Sequence, residues 1–190
     1  MPPLGEALHV LLNQPLDYLH PARGAVALRL QGPASRQLLN RLVLRELGLS
    51  CPAPEALALG ACGQMWLRHW QQLPRIAWLM GGQLMWPQLA LGARMGQLDA
   101  PSRAFARMDL GVRRACGQAP PANLDCLLRA SGLNALMAWR DIVPWALVER
   151  LPLLFSPQEV QMQRAMPAQP VNSLLFFLAV QHAQFNQGTR

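Results

Sequence analysis

Residues 64–86 read QMWLRHWQQLPRIAWLMGGQLMW. Trp66, His69, Trp70 and Leu73 fall at i, i+3, i+4 and i+7, the spacing of one helix face. Pro74 interrupts that face, because it has no N–H to donate and its ring clashes with the preceding turn. The same residue suits the first turn of a following helix. Beyond it, Ile76, Leu79 and Met80 recur at helical spacing, and Gly81-Gly82 permits either a kink or close helix packing. The reading is a helix over 55–72, a break, and a second helix starting at Pro74.

Working outward, proline and glycine cut the rest of the chain into pieces of helical length. A short helix is predicted over 4–12, ended by Asn13 and Pro15. Another runs from Pro33 or Ser35 to Gly48, a typical residue just past a helix end. Its apolar stripe is Leu39, Leu42, Val43 and Leu47, with Arg36, Asn40 and Arg41 facing elsewhere. Toward the C-terminus, Pro87 begins a helix reaching about Gln97, and Asp99 is placed to cap the next one. Helices are then predicted over 123–139, 144–150, 157–164 and 172–185. The last presents Leu174, Phe177, Leu178 and Gln181 in register, before a tail, QFNQGTR, that should fray.

Residues favouring strands are scarce and alternation with period two is not sustained. Leu, Ala, Gln, Arg and Met, all good helix formers, dominate instead. The fold class is therefore all-α: a compact orthogonal multi-helix domain of roughly eight or nine helices, spanning 1–190. The stretch Gly111–Pro121, ending in GQAPP, is the clearest loop and the place for a boundary if there are two lobes.

Hydrophobic residues make up 52% of the chain and charged residues only 14%, against about 25% in a typical soluble domain. Mean hydropathy is +0.11. Such a chain crosses a membrane, buries its excess apolar surface against partners, or is poorly soluble alone. A spanning helix needs about 20 apolar residues, whereas the longest strong run, Leu174 to Val180, is far shorter. The N-terminus lacks the cationic region and long apolar core of a secretory signal. The expectation is a cytoplasmic protein whose surplus apolar surface is shared with other subunits.

The net charge of +7 comes from 17 arginines without a single lysine. The densest cationic stretch is Arg23, Arg29, Arg36, Arg41 and Arg45, opposed locally by Glu46. A basic surface implies acidic partners, whether nucleic acid, lipid headgroups or an acidic protein face.

Chemistry-bearing patterns are missing. Cys51, Cys62, Cys116 and Cys126 form no CxxC and have no histidine at ligand spacing, so no metal site is expected and the thiols read as reduced and mostly buried. GxSxG, HExxH, a P-loop and GxGxxG do not occur, and no enzyme or cofactor is expected. Nucleic-acid binding has only the Arg23–Arg45 cluster behind it, and that helix contains no aromatic residue for stacking. The four tryptophans Trp66, Trp70, Trp78 and Trp86 read first as core. The sharper reading makes some of them interface anchors, rimmed by Arg68 and Arg75, since Trp and Arg dominate interface hot spots.

Four stretches carry a resemblance. PLDYLHPAR (Pro15–Arg23), the stretch Gln64–Trp86, LVERLPLLFSP (Leu147–Pro157) and LLFFLAVQHAQF (Leu174–Phe185) resemble, in the same order, motifs of the SctK family of type III secretion proteins, closest to its OrgA/MxiK-like branch. The resemblance implies a non-enzymatic adaptor of the injectisome's sorting platform, at the cytoplasmic face of the bacterial inner membrane. It would join the cytosolic domain of the inner-membrane ring protein (SctD-like) to the pod protein (SctQ-like) and so support protein secretion. The residues themselves assign a basic surface at Arg36, Arg41 and Arg45 to one partner. A more apolar surface around Trp66, Trp70 and Arg75 goes to the other. The alternative is a small basic helical nucleic-acid-binding protein.

Overall fold

The computed structural model describes residues 4–24, 30, 32–111 and 123–185, and among them every regular element is helical. The described residues form ten α-helices: α1 (Leu4–Asn13), α2 (Pro33–Glu46), α3 (Ala61–Arg68), α4 (Leu73–Leu84), α5 (Trp86–Leu89), α6 (Ala100–Arg107), α7 (Leu124–Met137), α8 (Trp145–Val148), α9 (Pro157–Arg164) and α10 (Ser173–Phe185). Helices α5 and α8 are only four residues long, so the all-α reading with eight or nine substantial helices holds. The expected loop at 111–121 and the C-terminal residues 186–190 lie almost wholly outside the described residues.

Local chemistry sets most of the ends. Asn123, Asp99 and Asn172 accept the backbone N–H of Cys126, Ser102 and Leu175 at 3.1, 2.8 and 2.8 Å, capping α7, α6 and α10. Gly48 takes φ +61° just beyond α2, a left-handed conformation that glycine adopts without steric cost.

Two expected helices are shorter than the periodicity implied. The predicted 55–72 helix is only a 3₁₀ turn at Pro54–Ala56, then α3, then a 3₁₀ turn at Trp70–Gln72. Leu57 (φ −95°, ψ 102°) and Gly60 (φ −63°, ψ 173°) are extended and break the run. Beyond Pro87, helical geometry stops at Leu89, and Gly92–Gln97 is 3₁₀.

The chain divides into two compact units, Met1–Gln71 with Trp139–Pro157, and Gln72–Ala138 with Gln158–Arg190. In the first, Arg150 is the hub. Its side chain is 0% exposed and donates to the carbonyls of Leu12 (3.0 Å), Ser50 (2.6 Å) and Ala146 (2.9 Å), while pairing with Glu149 at 2.6 Å. Arg23 donates to the carbonyls of Phe155 and Pro152, and the His20 N–H to that of Leu153. Two of the four sequence islands, Pro15–Arg23 and Leu147–Pro157, are thus bound to each other through main-chain acceptors. One cation of the expected basic cluster, Arg23, is a structural residue.

The second unit is built on the α4–α7 crossing. A Cβ on Gly81 would collide with the Leu128 carbonyl, and one on Gly132 with the Ala77 carbonyl. Only two hydrogens at those positions let the backbones touch, so the glycine pair gives close packing rather than a kink. Around the crossing, α4 is buried from Leu73 to Leu84 except at Pro74 and Arg75, with Ile76, Leu79 and Met80 inward as expected. Helices α10 and α6 also pack on α4.

The expected stripe of α2 holds in part, and that of α10 is displaced. In α2 the one buried residue is Asn40, whereas Leu47 is 50% exposed and Leu38 59%. Asn40 Oδ1 accepts the Leu16 N–H at 3.0 Å, while Leu39, Leu42 and Val43 of the expected stripe are half-buried. In α10 the buried face is Leu175, Phe176, Ala179, Val180 and Ala183, and Leu174 and Phe177 face outward.

Candidate protein-interaction surfaces

Helix α1 is a ridge with a concavity on either side, both inside the first unit. Residues His9 and Asn13, one turn apart, face a groove of about 890 Å³ whose far wall is α2, with Arg36, Asn40 and Arg41. No carboxylate lines it, so its field is positive. Glu6, Val10 and Gln14, also one turn apart, face a smaller pocket of about 320 Å³ on the other side.

The three arginines expected to form the basic surface are not equivalent. Arg36 is half-buried and its guanidinium is 2.5 Å from the Asp17 carboxylate. Arg45 lies against its neighbour Glu46 at 3.0 Å, with both side chains more than two-thirds exposed. Arg41 is exposed, and among the described residues no carboxylate lies within ion-pair distance of it. The structure therefore brings Arg36 and Arg41 together on one groove, and Arg41 carries its uncompensated charge.

The apolar half of the expectation is corrected. Trp66 is 0% and Trp70 4% exposed, so both are core and neither presents a face to a partner. Arg75 belongs to the other unit, where it reaches Asp99 at 2.8 Å and Ser102 at 2.7 Å and lies 4.6 Å from the Trp78 ring centroid. Burial tends to raise the Asp99 carboxyl, but the Ser102 hydroxyl and N–H, with Arg75, hold it below its ordinary value.

The exposed apolar residues lie elsewhere. In the first unit they include Trp145 and Ile142, at 59% and 51%. In the second they include Leu174, Phe177 and Phe185 on α10. Trp145 follows Pro144 at the start of a one-turn helix, too short a segment for periodicity to assign a side. Helix α10 contains no charged residue and is apolar on nearly every side, so its sequence cannot point to the exposed face.

Among the described residues no three His, Cys, Asp or Glu side chains gather as metal ligands would, and no helix is long and apolar enough to cross a membrane. Of the thiols, Cys126 is buried and raised by that burial, Cys62 is half-buried, and Cys51 is exposed, unlike the expectation for it. Cys116 lies outside the described residues.

A helical body with a basic groove and exposed apolar residues fits an assembly component, and the family comparison agrees. The family model for bacterial type III secretion apparatus proteins (OrgA_MxiK) matches residues 8–185. This chain belongs to that family. It is similar to the oxygen-regulated invasion protein OrgA of Salmonella typhimurium strains 14028s, SL1344 and LT2. The identity is 32% over 177 residues, covering 92% of this chain and 85% of that protein. No solved structure matches the chain. It is a type III secretion apparatus protein, and its partners are accordingly other proteins of the apparatus.

Proposed function

We propose that this protein is a non-enzymatic adaptor of the sorting platform, joining the cytosolic domain of the inner-membrane ring protein to the pod protein at the cytoplasmic face of the inner membrane. The single observation that carries the reading is the groove between α1 and α2. It has no acid in its lining and an arginine, Arg41, without an ion partner among the described residues. An acidic protein surface satisfies it, with Arg45 one helical turn beyond Arg41 on α2.

The second contact falls to exposed apolar side chains such as Trp145 and Ile142, since Trp66 and Trp70 are committed to the core. Nucleic acid fits the groove less well. Of its two arginines Arg36 already faces Asp17, and the lining has no Trp, Tyr or Phe on which a base could stack.

The test is co-expression of the double variant R41E/R45E with the ring domain and the pod protein. The variant folds as the wild type does, by circular dichroism, but loses one of the two partners on a column. Retention of both at wild-type yield, or tight salt-sensitive binding of duplex DNA instead, overturns the assignment.

A further inference from the structure

The pocket on the other side of α1 is opposite in sign and independent of the adaptor reading. Its floor is apolar, from Val10, Leu11 and Leu67, and its rim carries the carboxylates of Glu6 and Asp17 in a chain whose net charge is +7. Val10 remains 37% exposed there, a β-branched side chain left facing water on a helix whose other apolar residues are covered. Tyr18 and Trp70 close the wall edge to face, with ring centroids 5.5 Å apart and planes at 83°. The Tyr18 hydroxyl is tied to the Leu11 carbonyl at 3.1 Å, so the wall is fixed.

Size and charge narrow the occupant. The volume, about 320 Å³, lies at the small end of ligand pockets, which span about 300–1,000 Å³. It suits a single long side chain with its neighbours better than a cofactor. An apolar slot that ends in carboxylates matches a side chain with an aliphatic stem and a cationic head. Glu6 has no ion partner among the described residues, and Asp17 is only half-covered while it faces Arg36.

We infer that this pocket is a docking site for an arginine or lysine side chain projecting from a partner protein. The stem lies on Val10, Leu11 and Leu67. The head sits between Glu6 and Asp17, with Tyr18 and Trp70 as part of the fixed wall below it. The protein thus presents a basic groove and an acid-rimmed slot on the two flanks of one helix, and complementary charge on a partner fixes which side it reads.

The experiment is an NMR titration of the full chain with the peptide acetyl-Ala-Leu-Arg-Leu-Ala-amide and its neutral citrulline counterpart. Shifts should fall on Val10, Tyr18 and the Trp70 indole. The citrulline peptide should bind about fivefold more weakly, through loss of the ion pairs. E6Q, on an exposed first turn, should weaken the arginine peptide about threefold while leaving the spectrum otherwise unchanged. Ala7→Phe fills the slot from α1 and should abolish the shifts. Equal binding of both peptides, shifts located elsewhere, or spermidine binding as tightly as the peptide would each overturn the assignment. The basic groove plays no part in the readout, so this result and the R41E/R45E result stand or fall separately.

Discussion

Arg36 and Asp17 face each other at 2.5 Å across the edge of α1, and each lines a different concavity: Arg36 the basic groove, Asp17 the acid-rimmed pocket. The pair also clips α2 to the 3₁₀ turn Pro15–Asp17, beside the Asn40 to Leu16 hydrogen bond. Both side chains are a little over one-third exposed, which limits the pair to a modest contribution. A double-mutant cycle with Arg36→Gln and Asp17→Asn, measured by urea unfolding, should return a coupling of about 1 kcal/mol or less. A coupling of several kcal/mol would show that the pair, and not Asn40, holds α2 in place.

The α4–α7 crossing separates two adjacent glycines. A Cβ at Gly82 would meet only the Ala106 Cβ at 3.6 Å, an ordinary contact. Gly82→Ala should therefore be tolerated, or gain up to about 1 kcal/mol from helix propensity. Gly81→Ala drives a methyl into the Leu128 carbonyl and should cost about 3 kcal/mol or more. Thermal unfolding of the two variants checks the contrast, and equal melting temperatures would contradict it.

Asp99 caps α6 and receives Arg75, so its carboxyl titrates below its ordinary value in the folded chain. The unfolded carboxyl titrates near about 3.9. Its contribution is thus complete above that pH and is lost as pH falls through the lower folded value. Asp99→Ala should cost about 1 kcal/mol at pH 7, and the gap to wild type should close in acid. Melting curves from pH 7 down to pH 2.5 measure it directly.

Arg150 satisfies three main-chain carbonyls and one carboxylate while 0% exposed. Arg150→Met removes the cation and leaves Glu149, 12% exposed, without its nearest positive charge. The expected loss is about 3–5 kcal/mol, seen as a large drop in the urea midpoint. Glu149→Gln should cost less, because Arg150 keeps its carbonyl acceptors.

How much of this was legible in the sequence depends on whether the deciding partner was local. Caps were readable, because Asp99 bonds three residues ahead to Ser102. The Pro74 start of α4 was readable for the same reason. The inward face of α2 was legible only in part. Leu39, Leu42 and Val43 are half-buried as their spacing implied, but the buried Asn40 meets Leu16, 24 residues away, which no local pattern shows. The 55–72 run failed at Gly60, whose extended backbone no helical periodicity reveals. In α10 the amphipathic direction is nearly absent, so the register slipped by one residue. For the site, the charge cluster singled out Arg36 and Arg41, which line one groove. It could not show that Arg36 was already engaged by Asp17. Of the four tryptophans read first as core, Trp66, Trp70 and Trp78 are buried and Trp86 is half-buried.

The adaptor reading is tested most directly by bridging. Purified ring-protein cytosolic domain is immobilised, and the pod protein is passed over it with and without this chain. The account predicts that pod protein is retained only when this chain is present, and that R41E/R45E abolishes the retention without changing the fold. Direct capture of the pod protein in its absence, or failure of the wild-type chain to bring the two together, would contradict the account.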